Sequence, residues 1–136
     1  MEWYRIDNED DVFTPALLVY PGRIEENIRR MIAVAADAGR LRPHVKTHKM
    51  PEIIRLQMKN GITKFKCATI AEAEMTAGCL APYILLAYQP AGPNIRRLFN
   101  LIKKFPLTRF SCIADTEEII VPLSENAVSL NLELPV

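Results

Sequence analysis

Phe65-Lys66-Cys67-Ala68 and Tyr83-Ile84-Leu85-Leu86-Ala87-Tyr88 are two apolar runs that enclose a stretch of helical character. Each run has the length of a buried strand, and the second is apolar almost throughout, which is typical of parallel-sheet strands that are buried on both faces. Between them, Thr69 and Glu72 have the spacing of a capping box, and the helix that they begin ends at Gly78. The stretch therefore predicts a βαβ unit, from which α/β folds are built.

The same alternation continues in both directions from this unit. Apolar residues at helical spacing predict helices between further short apolar runs, and Gly39, Pro51, Pro106 and Pro122 mark their boundaries, with Pro122 limiting the last helix. The further strands that we predict are Pro15–Tyr20, Leu41–Lys46, Arg109–Ala114 and Val128–Leu134. We therefore expect one α/β domain over residues 1–136, with about six parallel strands and five helices.

Two architectures accommodate this alternation: an open doubly wound sheet, and a (β/α)8 barrel. A whole barrel takes roughly 250 residues, so the second architecture implies a partial barrel that this chain does not close, with strands in the order 1 to 6 and an exposed edge at Val128–Leu134. A flavodoxin-like open sheet needs a phosphate-binding loop after the first strand, and Tyr20-Pro21-Gly22-Arg23 is a poor one. The partial barrel is therefore the favoured expectation.

Composition excludes several kinds of partner. The chain has 17 Lys and Arg against 16 Asp and Glu, so it lacks the basic excess of a nucleic-acid-binding protein. No apolar run reaches the length that crosses a bilayer, and the acidic N-terminus is not a signal peptide. Cys67, Cys79 and Cys112 have no CxxC spacing and fit reduced core thiols. We therefore expect a cytoplasmic protein that binds neither nucleic acid nor membrane.

The segment Arg42-Pro43-His44-Val45-Lys46-Thr47-His48-Lys49 places five basic or imidazole side chains in eight residues. Because side chains alternate along a strand, Arg42, His44 and Lys46 share one face, and Lys46 falls at the C-terminal strand end, where α/β proteins form their sites. A partly desolvated lysine loses preference for its charged form, and a neutral amine can attack a carbonyl to form a Schiff base. On spacing alone, a solvated surface lysine is the commoner outcome.

Here a family resemblance adds to the residue pattern. Leu41–Lys49 resembles the cofactor-lysine segment of the D-threonine aldolase and D-serine dehydratase family, which are pyridoxal phosphate (PLP) enzymes on the alanine-racemase-like barrel. Thr14–Val19, Phe65–Glu74 and Ile84–Pro90 resemble the first, third and fourth strand regions of that family in the same order. The resemblance extends from about Asp11 onward, although many relatives have an acidic residue where this chain has Tyr20 and Pro21.

The resemblance implies roles for particular residues. Lys46 would carry PLP as a Schiff base. From their positions rather than from the resemblance, His44 is expected to contact the cofactor or to support Lys46, and Gln89, at the end of the fourth predicted strand, is a candidate for lining the site. Lys49 lies beyond the predicted strand and is expected to face solvent, and His48 is expected to be a loop residue without a role. The two histidines have no cysteine or carboxylate at ligand spacing, so we expect no metal site in this chain.

The resemblance also implies a function. The expected reaction is aldol cleavage of a small D-3-hydroxy amino acid, as in D-threonine aldolase; dehydration of D-serine and racemisation by an enzyme of the same fold are the alternatives. Relatives have further barrel strands and a C-terminal β domain, which in the aldolase and dehydratase branches supplies the ligands of a divalent metal ion. A non-catalytic truncated fragment is a further alternative, and we expect 136 residues alone to be inactive. The full-length protein is expected to be a homodimer.

Overall fold

The computed structural model describes residues 3–136, and within them it has five α-helices and a three-stranded parallel sheet. The helices are α1 (Pro21–Ala35), α2 (Pro51–Lys59), α3 (Ile70–Gly78), α4 (Pro93–Lys104) and α5 (Glu117–Ser129). The strands are β1 (Lys64–Cys67), β2 (Tyr83–Leu86) and β3 (Arg109–Cys112). None of the described helices is long and apolar enough to cross a membrane. The predicted α/β class and the predicted helices are confirmed.

The sheet follows the order of the chain. Its strands run β1-β2-β3, all parallel, and an isolated parallel bridge joins His44 to Lys66 of β1. Residues 42–49, which we call the lysine segment, therefore lie beside β1. Consecutive βα segments are thus neighbours in space. A barrel requires this order, whereas a flavodoxin-like sheet has the order 2-1-3-4-5, which separates the second strand from the third.

Helices cover one face of the sheet. Phe65, Ile84 and Phe110 point to that face and are at most 3% exposed. The residues that follow them in β1, β2 and β3 point to the opposite face, where Lys66 and Leu85 are only partly buried. We expected the run that contains β2 to be buried on both faces of the sheet. Within the described residues this is wrong, because the helices lie on only one side of the sheet.

Local signals account for most helix starts, and the predicted start at Pro51 is confirmed. Pro21, Pro51 and Pro93 each occupy the first position of a helix, where a missing N–H is tolerated. Thr69 caps α3, because its Oγ1 accepts a hydrogen bond from the Glu72 N–H at 3.1 Å. In a capping box the Glu72 carboxylate would accept a hydrogen bond from the Thr69 N–H. Here it accepts one from the Ala68 N–H instead, at 2.8 Å.

The first two predicted strands are not strands in the structure. Pro15–Tyr20 has no ladder partner within the described chain, and most of its side chains are exposed. Leu41–Lys46 contributes a single bridge, at His44, before Val45–Thr47 form a short 3-10 turn. This turn begins there because the Lys46 N–H donates a hydrogen bond to the His44 Nδ1. In a strand, the same N–H would donate to the backbone of a neighbouring strand.

The sixth predicted strand, Val128–Leu134, is also wrong. Helix α5 continues to Ser129 with Pro122 inside it, and Asn131 has a φ of 50°, which ends any extended conformation. Leu123, the residue after Pro122, is buried at 4% exposure and belongs to the hydrophobic core. The alternation itself is real, since Leu130, Leu132 and Leu134 pack against the core from an irregular segment.

The three cysteines are free and buried. Burial raises the pKa of the Cys67 and Cys112 thiols to about 11, so both remain protonated at neutral pH. The prediction that these two residues are ordinary core side chains is confirmed.

Candidate functional site

The lysine segment leaves the sheet at His44 and turns immediately. Val45 is fully buried and anchors the turn in the core, whereas the Lys46 side chain is exposed. The Lys46 main-chain N–H donates to the His44 ring at 3.2 Å. Within residues 3–136, the Lys46 amine has neither an ion pair nor a hydrogen bond. The segment thus fixes the backbone of Lys46 and leaves its amine available.

Lys49 is held differently. Its Nζ lies 2.5 Å from the Oε1 of Glu72, whose side chain is 4% exposed, although the Lys49 side chain itself is 60% exposed. Lys49 is therefore largely exposed, as expected, but its amine pairs with Glu72. Burial alone would raise the pKa of the Glu72 carboxyl, but hydrogen bonds from Lys49 and the Ala68 N–H, with the charge of Lys49, hold that pKa below its usual value.

Both histidines have a lowered pKa. Burial lowers the pKa of His44, and the positive charges of Lys46 and Lys66 lower it further, against the opposing charge of Glu72. Burial also lowers the pKa of His48, again against the charge of Glu72. The His48 Nδ1 accepts from the Met50 N–H at 3.1 Å, and its buried Nε2 has no hydrogen-bond partner in the described chain. Both rings are therefore neutral at pH 7.

Lys66 is a site residue that sequence reasoning missed. It is the bridge partner of His44 and donates its N–H to the Pro43 carbonyl at 2.9 Å. Its side chain lies on the open face of the sheet, where its charge acts on His44. The signal was present in the sequence: Lys66 stands between Phe65 and Cys67, which both point into the core. Lys46, Lys66 and His44 thus form a basic cluster near the C-terminal end of β1.

Gln89 lies in the loop after β2 and joins that loop to the one after β3. Its Nε2 donates to the Asp115 Oδ1 at 2.5 Å, and its Oε1 accepts from the Asp115 N–H at 2.9 Å. The nitrogen and the oxygen of the Gln89 amide therefore both have a hydrogen-bond partner. Its predicted contact with a cofactor stays a prediction, and so do the cofactor roles of His44 and Lys46.

One cleft lies at the edge of the sheet, and another borders the lysine segment. One, of about 450 Å³, lies at the C-terminal ends of β1 and β2 and is lined by Thr69, Tyr88 and Arg97, among others. The other, of about 410 Å³, lies between α1 and the turn that contains Thr47 and His48. Neither cleft includes Lys46 in its lining. In the described part of the chain, no three His, Cys, Asp or Glu side chains lie close enough to hold a metal ion.

Comparison with known proteins supports the fold relationship. No model of a protein family matches the chain, and no curated protein matches it. Among solved structures twelve chains match. One is the D-threonine aldolase from Filomicrobium marinum, with a TM-score of 0.80 and 29% sequence identity over 91% of this chain. The match covers 33% of the aldolase, so this chain spans about a third of the length of that enzyme and shares the fold of that third.

Proposed function

We propose that this chain is part of the (β/α)8 barrel of a PLP-dependent enzyme that cleaves a small D-3-hydroxy amino acid, with Lys46 as the lysine that holds the cofactor. The observation that carries the proposal is the contrast between the two amines of the RPHVKTHK segment: within residues 3–136, that of Lys49 is paired and that of Lys46 is not. The fold shared with a D-threonine aldolase supports the reaction class.

The chain's own residues fit such a cofactor. Lys46 lies next to the C-terminal edge of a parallel sheet, where α/β enzymes assemble their sites. Its amine is exposed and without an ion pair in the described residues, so it can bond to an aldehyde carbon. In contrast, the Lys49 amine is engaged by the Glu72 carboxylate, and this ion pair would have to break before the amine could bond to an aldehyde carbon. This favours Lys46 over Lys49.

The residues around Lys46 would bind and orient the cofactor and the amino-acid substrate. PLP, when bound, supplies a ring that accepts electrons from the bond that breaks. Neutral His44 holds the Lys46 main chain through its Nδ1, and Lys66 contributes a positive charge that attracts the carboxylate of an amino acid. Gln89 would have to exchange at least one of its two bonds to Asp115 for a bond to the cofactor.

The test is reduction with borohydride in the presence of PLP, followed by peptide mapping. The aldehyde and the lysine amine condense with loss of water, and borohydride adds hydride to the new C=N bond, which fixes the pyridoxyl group. We expect the label on Lys46, its loss in Lys46→Arg, and its retention in Lys49→Arg. A label on Lys49 in the wild-type chain would refute the assignment.

Substrate assays separate the alternatives. Aldehyde release from D-threonine indicates the aldolase, pyruvate release from D-serine indicates the dehydratase, and loss of optical rotation without either product indicates a racemase. We propose that the 136 residues by themselves lack turnover, as a non-catalytic fragment would. A barrel site draws groups from many strand ends, and residues 3–136 form three strands and one bridge. A homodimer and a cytoplasmic location stay predictions.

A further inference from the structure

We propose that Glu72 is a positioning residue that holds the lysine segment through Lys49 and thereby keeps Lys46 in place. The inference rests on the proposed function, because it assigns a purpose to the second lysine of the segment. Glu72 would not contact the substrate or the cofactor. It would act through the backbone between Val45 and Lys49.

The Glu72 carboxylate joins two parts of the chain that are far apart in sequence. Its Oε1 accepts from the Lys49 Nζ at 2.5 Å, across 23 residues. Its Oε2 accepts from the Ala68 N–H at 2.8 Å, just after β1. The Glu72 N–H is itself capped by the Thr69 Oγ1 at 3.1 Å. Both carboxylate oxygens and the backbone of Glu72 are thus fixed, so the point at which Lys49 is held cannot move independently of the sheet.

The reactive lysine lies between two anchors. Val45 is fully buried and holds the turn at its start. The Lys49 N–H donates a hydrogen bond to the Val45 carbonyl at 2.9 Å, which brings the end of the turn back to its start. Lys49 has a φ of 50°, so the turn ends in a left-handed conformation. The Lys49 amine then ties the far end of the turn to Glu72. Lys46 is one residue after the first anchor, so releasing the second loosens its backbone.

Hydrogen exchange tests this positioning without any cofactor. Lys49→Arg keeps a cation for Glu72, whereas Lys49→Met keeps the length of the side chain and removes the charge. In Lys49→Met we expect the backbone amides of residues 46–49, which include the bonded Lys46 and Lys49 N–H groups, to exchange about tenfold faster, since local opening becomes easier. Lys49→Arg should exchange like the wild type. Equal exchange in Met and Arg variants would overturn the proposal.

Pyridoxyl labelling provides a second measurement that loss of stability alone would not reproduce. Because misplacement by about 1 Å can lower a rate about a hundredfold, we expect Lys46 labelling to slow about tenfold or more in Lys49→Met and to be rescued in Lys49→Arg. In Glu72→Gln, the freed Lys49 amine should also become labelled. General destabilisation would instead spread the label over many lysines, and that result would count against the proposal.

Glu74→Gln is the matched control, because Glu74 is on the same helix and pairs with Lys104 at 2.6 Å on the surface. It should leave both the exchange of residues 46–49 and the labelling of Lys46 unchanged. The two hypotheses fail separately. If wild-type Lys46 is not labelled while Lys49→Met still accelerates exchange, the proposed function is wrong and the positioning holds. If Lys46 is labelled at the same rate in every variant, the positioning is wrong.

Discussion

Glu72 and Glu74 are two residues apart on α3, and each pairs with a lysine at nearly the same distance, 2.5 Å and 2.6 Å. Their surroundings differ. Glu72 is 4% exposed and also accepts from the main chain, whereas Glu74 and its partner Lys104 are 49% and 61% exposed. A surface pair is screened by water, and a buried carboxylate depends on its partners to remain charged. Burial, rather than the length of the contact, therefore decides what each pair contributes.

The largest effect is expected when the buried carboxylate is removed. Glu72→Ala leaves the Ala68 N–H without its acceptor and releases Lys49. Because a hydrogen bond to a charged group contributes about 1.5–3 kcal/mol, we expect the free energy of unfolding to fall by about 2–3 kcal/mol. Urea unfolding followed by circular dichroism measures this change. A loss no larger than that of Glu74→Ala would show that burial does not distinguish the two residues.

A smaller loss is expected when only the cation is removed. Lys49→Met leaves Glu72 bonded to the Ala68 N–H but without a charged partner, so we expect a loss of about 1–2 kcal/mol. Lys104→Met is the corresponding change in the surface pair and should have little effect. The same unfolding measurement compares the two variants, and equal values would contradict the comparison.

The cap that holds the Glu72 backbone should contribute about as much as one hydrogen bond. In Thr69→Ala, the Glu72 N–H loses its acceptor at the start of α3. Removing a helix cap typically lowers stability by about 1 kcal/mol. Thr69→Ser retains the hydroxyl oxygen and should remain close to wild type in thermal unfolding; a serine variant as unstable as the alanine variant would point to the methyl group instead.

Acid should destabilise the chain in two stages. The pKa values of His44 and His48 are lowered from 6.5, so the unfolded chain takes up these protons first and stability falls as the pH drops below about 6.5. The pKa of Glu72 is lowered from 4.5, so its contribution is complete above that pH and is lost as the pH falls through the lower value in the folded chain. Urea midpoints at pH 7 and 5.5 measure the first stage, and midpoints at successively lower pH below 4.5 measure the second. The second stage should shrink in Glu72→Gln, and a chain that becomes more stable on acidification would contradict both.

The smallest effect is expected from Glu74→Gln. Its pKa is lowered by the hydrogen bond and charge of Lys104, but the carboxylate is in water in both the folded and the unfolded chain. We therefore expect almost no change in melting temperature, and what change there is should disappear at 1 M salt, where charges are screened over about 3 Å. A change that persists in high salt would show that this pair is more than a surface contact.

Two apolar runs show why the sequence predicted some strands and not others. Tyr83–Leu86 lies between two strands and is hydrogen bonded on both sides. Leu17, Leu18 and Val19 are equally apolar, yet they are 67%, 45% and 38% exposed. Composition and length predict an extended segment in both cases, but they do not state which partner it pairs with. A strand exists only where a neighbouring segment supplies the ladder.

The candidate site could be predicted to a similar extent. The sequence located the RPHVKTHK segment, placed Lys46 and His44 near a strand end, and identified Glu72 as part of a helix start. It did not predict that Glu72 binds Lys49, that Lys66 lies beside His44, or that Gln89 and Asp115 bond to each other. These contacts join residues 22 or more positions apart, so no local spacing encodes them.

By itself, the sequence determined the α/β class, the start of α2 at Pro51 and the cap at Thr69. These features depend on proline geometry, on capping side chains and on the period of apolar residues, all of which act within a few residues. Only the tertiary structure decided that Lys49 is paired while Lys46 has no partner among the described residues. That difference depends on the contact between Glu72, a buried residue of α3, and Lys49 of the lysine segment, and burial arises only when distant parts of the chain pack together.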